Sequence, residues 1–71
     1  MSNDNISITA NGDLFEIKPD CPLHAFLSER NLNPLHVVVE LNGNALTKAD
    51  AQNTFLKNGD ALEIVKIVAG G

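Results

Sequence analysis

The chain has 71 residues, 44% of them hydrophobic, with three aromatics (Phe15, Phe26 and Phe55), no Trp or Tyr, one cysteine and a formal charge of −4. That is enough for one small domain with an aliphatic core, and it leaves little room for an enclosed catalytic cleft. The lone Cys21 excludes an internal disulfide framework, and the lack of any Lys/Arg cluster argues against phosphate-backbone binding. No stretch approaches the ~18 to 20 apolar residues of a membrane span, and Met1-Ser2-Asn3-Asp4-Asn5 has no basic, apolar signal layout. The expectation is a cytoplasmic protein without nucleic-acid or membrane partners.

Ile6, Ile8 and Ala10 alternate with polar residues, Asn11-Gly12 interrupts, and Phe15 and Ile17 then alternate with Leu14, Glu16 and Lys18. Asn-Gly tolerates the positive φ angles of a two-residue turn, so the pattern predicts a hairpin. Pro19-Asp20-Cys21-Pro22 ends the second strand, and Pro22 suits the first turn of a short helix over 23–30 that aligns Leu23, Phe26 and Leu27 on one face. Pro34 biases Asn33 away from helical angles, so the helix should fade over 31–34.

The β-branched run 35–41 predicts a central strand with Val37, Val39 and Leu41 on one face and Val38 and Glu40 on the other. Asn42-Gly43 predicts a second turn, followed by a short strand at Ala45-Leu46 and an irregular crossover anchored by Leu46 and Leu56. Asn58-Gly59-Asp60 predicts a third turn, and 61–68 a last strand with Leu62 and Ile64 inward and Glu63, Val65 and Ile67 outward. This order fits an α+β domain, a mixed four- to five-stranded sheet with one helix packed across one face. The uncovered face would carry Val38, Glu40, Glu63, Val65 and Ile67, a candidate partner-binding surface if the register is not shifted by one residue.

The sequence closes on Val68-Ala69-Gly70-Gly71. Two residues without Cβ make a thin, pliable segment whose final carboxylate can be threaded into another protein's active site. Gly71 is the candidate site of covalent modification, with Gly70 and Ala69 as the threading residues.

Taken together, Leu41-Asn42-Gly43, Leu56-Lys57-Asn58-Gly59-Asp60, Leu62-Glu63-Ile64-Val65 and the closing Ala69-Gly70-Gly71 resemble the ThiS family. These are the β-grasp, ubiquitin-like sulfur carriers of thiamine biosynthesis, and the likeness spans essentially the whole chain. It implies a single β-grasp domain over 1–71 with a flexible tail over 68–71. It also implies a carrier with no active site and no intrinsic cofactor. A ThiF-like adenylyltransferase, using ATP and magnesium, would adenylate Gly71. Sulfur derived from a cysteine desulfurase would convert the adenylate to a thiocarboxylate, and the thiazole synthase ThiG would take up that sulfur for the thiamine thiazole ring. Two positions depart from the family pattern. Thr47-Lys48 stands where relatives often carry Pro-Arg, and Ala51-Gln52 where an aromatic is common. Lysine keeps the charge but cannot reproduce arginine's planar fork.

Other residues offer weaker chemistry. Cys21 precedes a helix start, a setting that can activate a thiol, but its position matches a helix-capping site in relatives. His24 and His36 lack a third ligand at zinc-compatible spacing, and Asp13, Glu16 and Asp20 form no pair with inferable geometry. Two other readings stay open: a carrier resembling the molybdopterin synthase small subunit, and a ubiquitin-like modifier whose Gly71 carboxylate joins a lysine.

Overall fold

A computed structural model describes residues 4–67. Strands β1 (Ile6–Ala10) and β2 (Asp13–Ile17) form the first hairpin. Its turn residues Asn11 (φ 51°) and Gly12 (φ 87°) both take the left-handed region, the mirror-type turn that matches strand twist. Helix α1 (Leu23–Glu29) follows, then a 3-10 turn at Pro34–His36, β3 (Val37–Leu41), β4 (Asn44–Ala45), helix α2 (Lys48–Gln52) and β5 (Ala61–Lys66). The five strands form one mixed sheet in the order β2-β1-β5-β3-β4. β5 lies at its centre, parallel to β1 and antiparallel to β3.

The expected facing of every strand holds. Ile8, Ala10, Val37, Val39 and Leu62 meet Leu23, Phe26 and Leu27 of α1 in the core, closed from the side by Leu56. Full burial of each large apolar side chain is worth about 1.5–3 kcal/mol. Phe15 packs edge-to-face on Phe26 with centroids 5.3 Å apart, and the Arg30 guanidinium covers both rings at 4.6 and 5.0 Å. Phe15, the half-buried member of the pair, thus meets the surface under a cation rather than bare.

Several boundaries differ from expectation. Pro22 is the N-cap of α1 rather than part of its first turn, and Arg30 is its C-cap. The helix ends because Asn31 takes φ 61°, so that Leu32 N–H reaches Leu27 C=O at 2.9 Å and Asn31 N–H reaches Ser28 C=O at 3.0 Å. Leu35 and His36 belong to the 3-10 turn rather than to β3, because Pro34 starts a helical turn and Asn33 Oδ1 accepts from Leu35 N–H at 2.9 Å. The short strand is Asn44–Ala45 instead of Ala45-Leu46, which leaves Leu46 free to turn toward the core.

The crossover expected to be irregular contains a second helix, α2, which packs beside α1 with Ala51 at the core's edge. Thr47 caps it, its Oγ1 accepting from Asp50 N–H at 3.0 Å, and Thr54 Oγ1 closes its far end on Asp50 C=O at 2.6 Å. The strand expected over 61–68 runs to Lys66, and Val68 lies outside the described residues. Among the described residues no helix is long and apolar enough to cross a membrane.

Leu56 is fully buried while its neighbour Phe55 is 52% exposed. Leu56→Ala should therefore cost about 2–5 kcal/mol, and Phe55→Ala less than half of that. Urea unfolding of the two variants checks this, and equal losses would contradict the packing.

Candidate functional site

β5 leads toward the chain's last residues, and three Asn-Gly turns fasten it or the chain just before it. At its start, Asn42 N–H donates to Ala61 C=O at 2.8 Å while the Asn42 side chain accepts from Ala61 N–H at 2.9 Å and donates to Asp60 at 3.0 Å. Just upstream, Asn58 Oδ1 accepts from Ser7 N–H at 2.8 Å and Gly59 N–H donates to Ser7 C=O at 2.8 Å. Midway along, Asn11 Oδ1 accepts from Ile64 N–H at 2.7 Å and Asn11 Nδ2 donates to Ile64 C=O at 3.1 Å. At the end, Ile67 N–H donates to His36 C=O at 2.8 Å. The sequence marks these asparagines as turn formers but not their side-chain bonds, because partners up to 53 residues away are invisible in a local pattern.

The outer face carries the residues expected there. Val38 lies opposite Val65 and Glu40 opposite Glu63, and all four side chains are exposed, as is Ile67. The register is therefore not shifted by one. Val65 is 62% exposed, so its side chain adds almost nothing to the core. Two carboxylates directly across a strand pair repel each other, a cost that a cationic group from outside would relieve. Chemically the face can offer an apolar strip, Val38, Val65 and Ile67, flanked by negative charge. Gly71, Gly70 and Ala69 lie outside the described residues.

The remaining candidates stay apart. Cys21 is half-buried and its thiol contacts Pro22 C=O at 3.5 Å. Burial, then the charge of Glu29, push its pKa above the ordinary value, against a hydrogen bond from the Phe26 backbone. It is a thiol at neutral pH, the reverse of an activated nucleophile. His24 and His36 are exposed on different elements, and among the described residues no three His, Cys, Asp or Glu side chains gather at metal-binding distance. Asp13, Glu16 and Asp20 are exposed as well. Among the described residues, the more enclosed hollow between α1, the 3-10 turn and α2 holds only about 50 Å³, and the larger ones, of about 290 Å³ beside His36 and about 540 Å³ beside Cys21, are open surface grooves. The enclosed one has space for a few waters, far below a substrate pocket.

Comparison with known proteins agrees with this geometry. The family model described as the ThiS family matches residues 6–71. The chain belongs to the ThiS family. It is thus a ubiquitin-like protein of the sulfur-carrier kind, as its turns and final residues suggest. Two relatives match over the full length of both chains: the uncharacterized protein ycf40 of Pyropia yezoensis, 37% identical, and that of Porphyra purpurea, 32% identical. Among solved structures, the thiamine biosynthesis protein ThiS of Geobacter metallireducens superposes with a TM-score of 0.75 at 29% identity, over 93% of this chain and all of that one.

Within the ThiS fold, the departure at Thr47-Lys48 has a local account. Thr47 supplies the side-chain acceptor that caps α2, which a proline cannot, and Lys48 opens the helix with its side chain exposed. Ala51 packs at the core's edge.

Two outcomes follow. Val65→Asp should lower stability by no more than about 1 kcal/mol, whereas Leu62→Asp, which buries a charge, should prevent folding; circular dichroism with urea titration distinguishes the two. Because its pKa is raised, Cys21 should carry less thiolate than an unstructured cysteine at a given pH. Its iodoacetamide alkylation should be slower near pH 8 and reach half-maximal rate at a higher pH than the urea-unfolded chain.

Proposed function

We propose that this protein is a sulfur carrier for thiamine thiazole formation, with the carboxylate of Gly71 as the group that carries sulfur. The observation that carries this reading is the family match, which continues through Gly70 and Gly71. A free carboxylate is a poor acyl donor. In the proposed cycle a ThiF-like adenylyltransferase binds ATP and magnesium, the Gly71 carboxylate attacks the α-phosphate, and pyrophosphate leaves. A persulfide derived from a cysteine desulfurase then attacks the acyl carbon and AMP leaves. A second thiol cleaves the resulting acyl disulfide, being oxidised to a disulfide as the carrier is released with a –COSH terminus. The thiazole synthase ThiG would take that sulfur.

Under this reading the chain is a macromolecular group carrier rather than an enzyme, and its partners supply the catalytic groups. Each small residue has a physical reason. Gly71 leaves its carbonyl open to phosphate and sulfur nucleophiles, while Gly70 and Ala69 keep the segment thin enough for a channel to close around it. Val38, Val65 and Ile67, flanked by Glu40 and Glu63, are proposed as the surface that docks on the activating enzyme or the synthase. Support comes from their exposure and from the apolar strip they share. The reaction would take place in the cytoplasm, where ATP and persulfide are available.

Intact-mass analysis tests the reading directly. With ATP, magnesium, the activating enzyme and a persulfide source, the protein should gain the mass difference between one sulfur and one oxygen. Gly71→Val should abolish both the AMP adduct and the sulfur gain with an unchanged circular dichroism spectrum. A normal adduct yield in that variant would overturn the threading argument. Adducts to other proteins in cell extract would instead indicate a ubiquitin-like modifier.

A further inference from the structure

Among the described residues, β5 is flanked on both sides only over its first half. β1 runs parallel to it with Thr9 beside Ala61 and Ala10 beside Leu62, and β1 then turns away at Asn11. The pairing with β3 continues much further, to Val37 opposite Lys66. Hydrogen-bond direction alternates along a strand, and Ala61 and Ile67 bond toward β3, which sends the peptide groups of Leu62, Ile64 and Lys66 toward the β1 side. Asn11 N–H takes Leu62 C=O at 2.9 Å, and no further β1 residue is available for Ile64.

The Asn11 carboxamide fills that gap. It accepts from Ile64 N–H at 2.7 Å and donates to Ile64 C=O at 3.1 Å, the paired donor and acceptor that a continuing strand would offer. Among the described residues it is the last contact on this flank of β5. One residue therefore does two things: its backbone, at φ 51°, makes the hairpin turn, and its side chain stands in for the missing extension of β1.

We propose that Asn11 is a positioning residue for the carrier's terminal segment, fixing the line along which β5 delivers the chain to an activating enzyme. The proposal rests on the carrier reading above. Held on the β3 flank alone, β5 beyond Leu62 can pivot about that single ladder; held by Asn11 as well, it cannot. The ordering is then already present before the partner binds, which lowers the cost of binding rather than the barrier of the chemical step.

Asn11→Gly is the informative variant. Glycine accepts the turn's positive φ, so the hairpin is kept while both bonds to Ile64 are lost. Asn42→Gly is its matched control, because Asn42 also has φ 51° but binds the far end of β5. In Asn11→Gly, amide hydrogen exchange at Ile64 should accelerate about tenfold more than in Asn42→Gly, and KM for the carrier in adenylation should rise about 3- to 10-fold with kcat nearly unchanged. That is the scale of one or two net hydrogen bonds. Asn11→Asp keeps the acceptor for Ile64 N–H and loses the donor, so its KM should fall between wild type and Asn11→Gly; it also serves if Asn11→Gly does not fold. An unchanged KM in the Asn11 variants, or an equal rise in Asn42→Gly, would overturn the proposal alone. A wild-type chain that is never adenylated would overturn the carrier reading and this proposal with it.

Discussion

The position of β5 at the centre of the sheet is the constraint from which the other features follow. It is the last described element in sequence, yet it pairs with β1 on one side and with β3 on the other. The sheet is therefore incomplete until the chain's final strand is in place, which makes the fold depend on contacts of long sequence separation. The same arrangement carries the chain to Lys66 along a strand held by β3 throughout and by β1 and Asn11 over part of its length. A segment proposed to enter another protein's active site thus starts from a fixed base rather than from a frayed edge.

Side-chain amides reinforce that strand where main-chain pairing runs out. Asn42 completes the ladder at Ala61, Asn58 ties the approach to Ser7, and Asn11 takes both peptide groups of Ile64. An Asn in the left-handed region costs less than most residues, and its short amide can bond to a neighbouring backbone. Placing Asn rather than a second Gly at Asn11 and Asn42, both at φ 51°, therefore couples turn formation to strand registry. In a 71-residue chain with so small a core, such double use of a residue matters more than it would in a larger domain.

Covering one face of the sheet fixes what the other can do. α1, α2 and the Leu56 segment all lie on the inner side, where Leu23, Phe26 and Leu27 seal the core. The outer face keeps Val38 beside Val65 and Glu40 beside Glu63, a combination that contributes little to folding and whose paired carboxylates work slightly against it. A surface that adds so little to stability is free to be shaped by recognition, which is the role proposed for it. Cys21, by contrast, is held as a thiol by burial and the nearby Glu29, in keeping with a structural place at the start of α1.

Much of this was legible in the residues. Period-two alternation in Ile6–Ala10, Val37–Leu41 and Ala61–Lys66 determined which side chains face inward, and Asn-Gly dipeptides determined where the chain reverses, since both depend on local backbone sterics. The terminal Gly-Gly and the Leu-Asn-Gly and Asn-Gly-Asp turns were enough to suggest the family. α2 was harder to see: five residues give too little periodicity, and its one local signal, Thr47 three residues before Asp50, is easily passed over. Only the tertiary structure decided that β5 lies between β1 and β3, that the outer carboxylates stand side by side, and that Asn11 reaches Ile64. Each of these is a pairing between distant segments, selected by how the whole chain packs, and no window of neighbouring residues contains both partners.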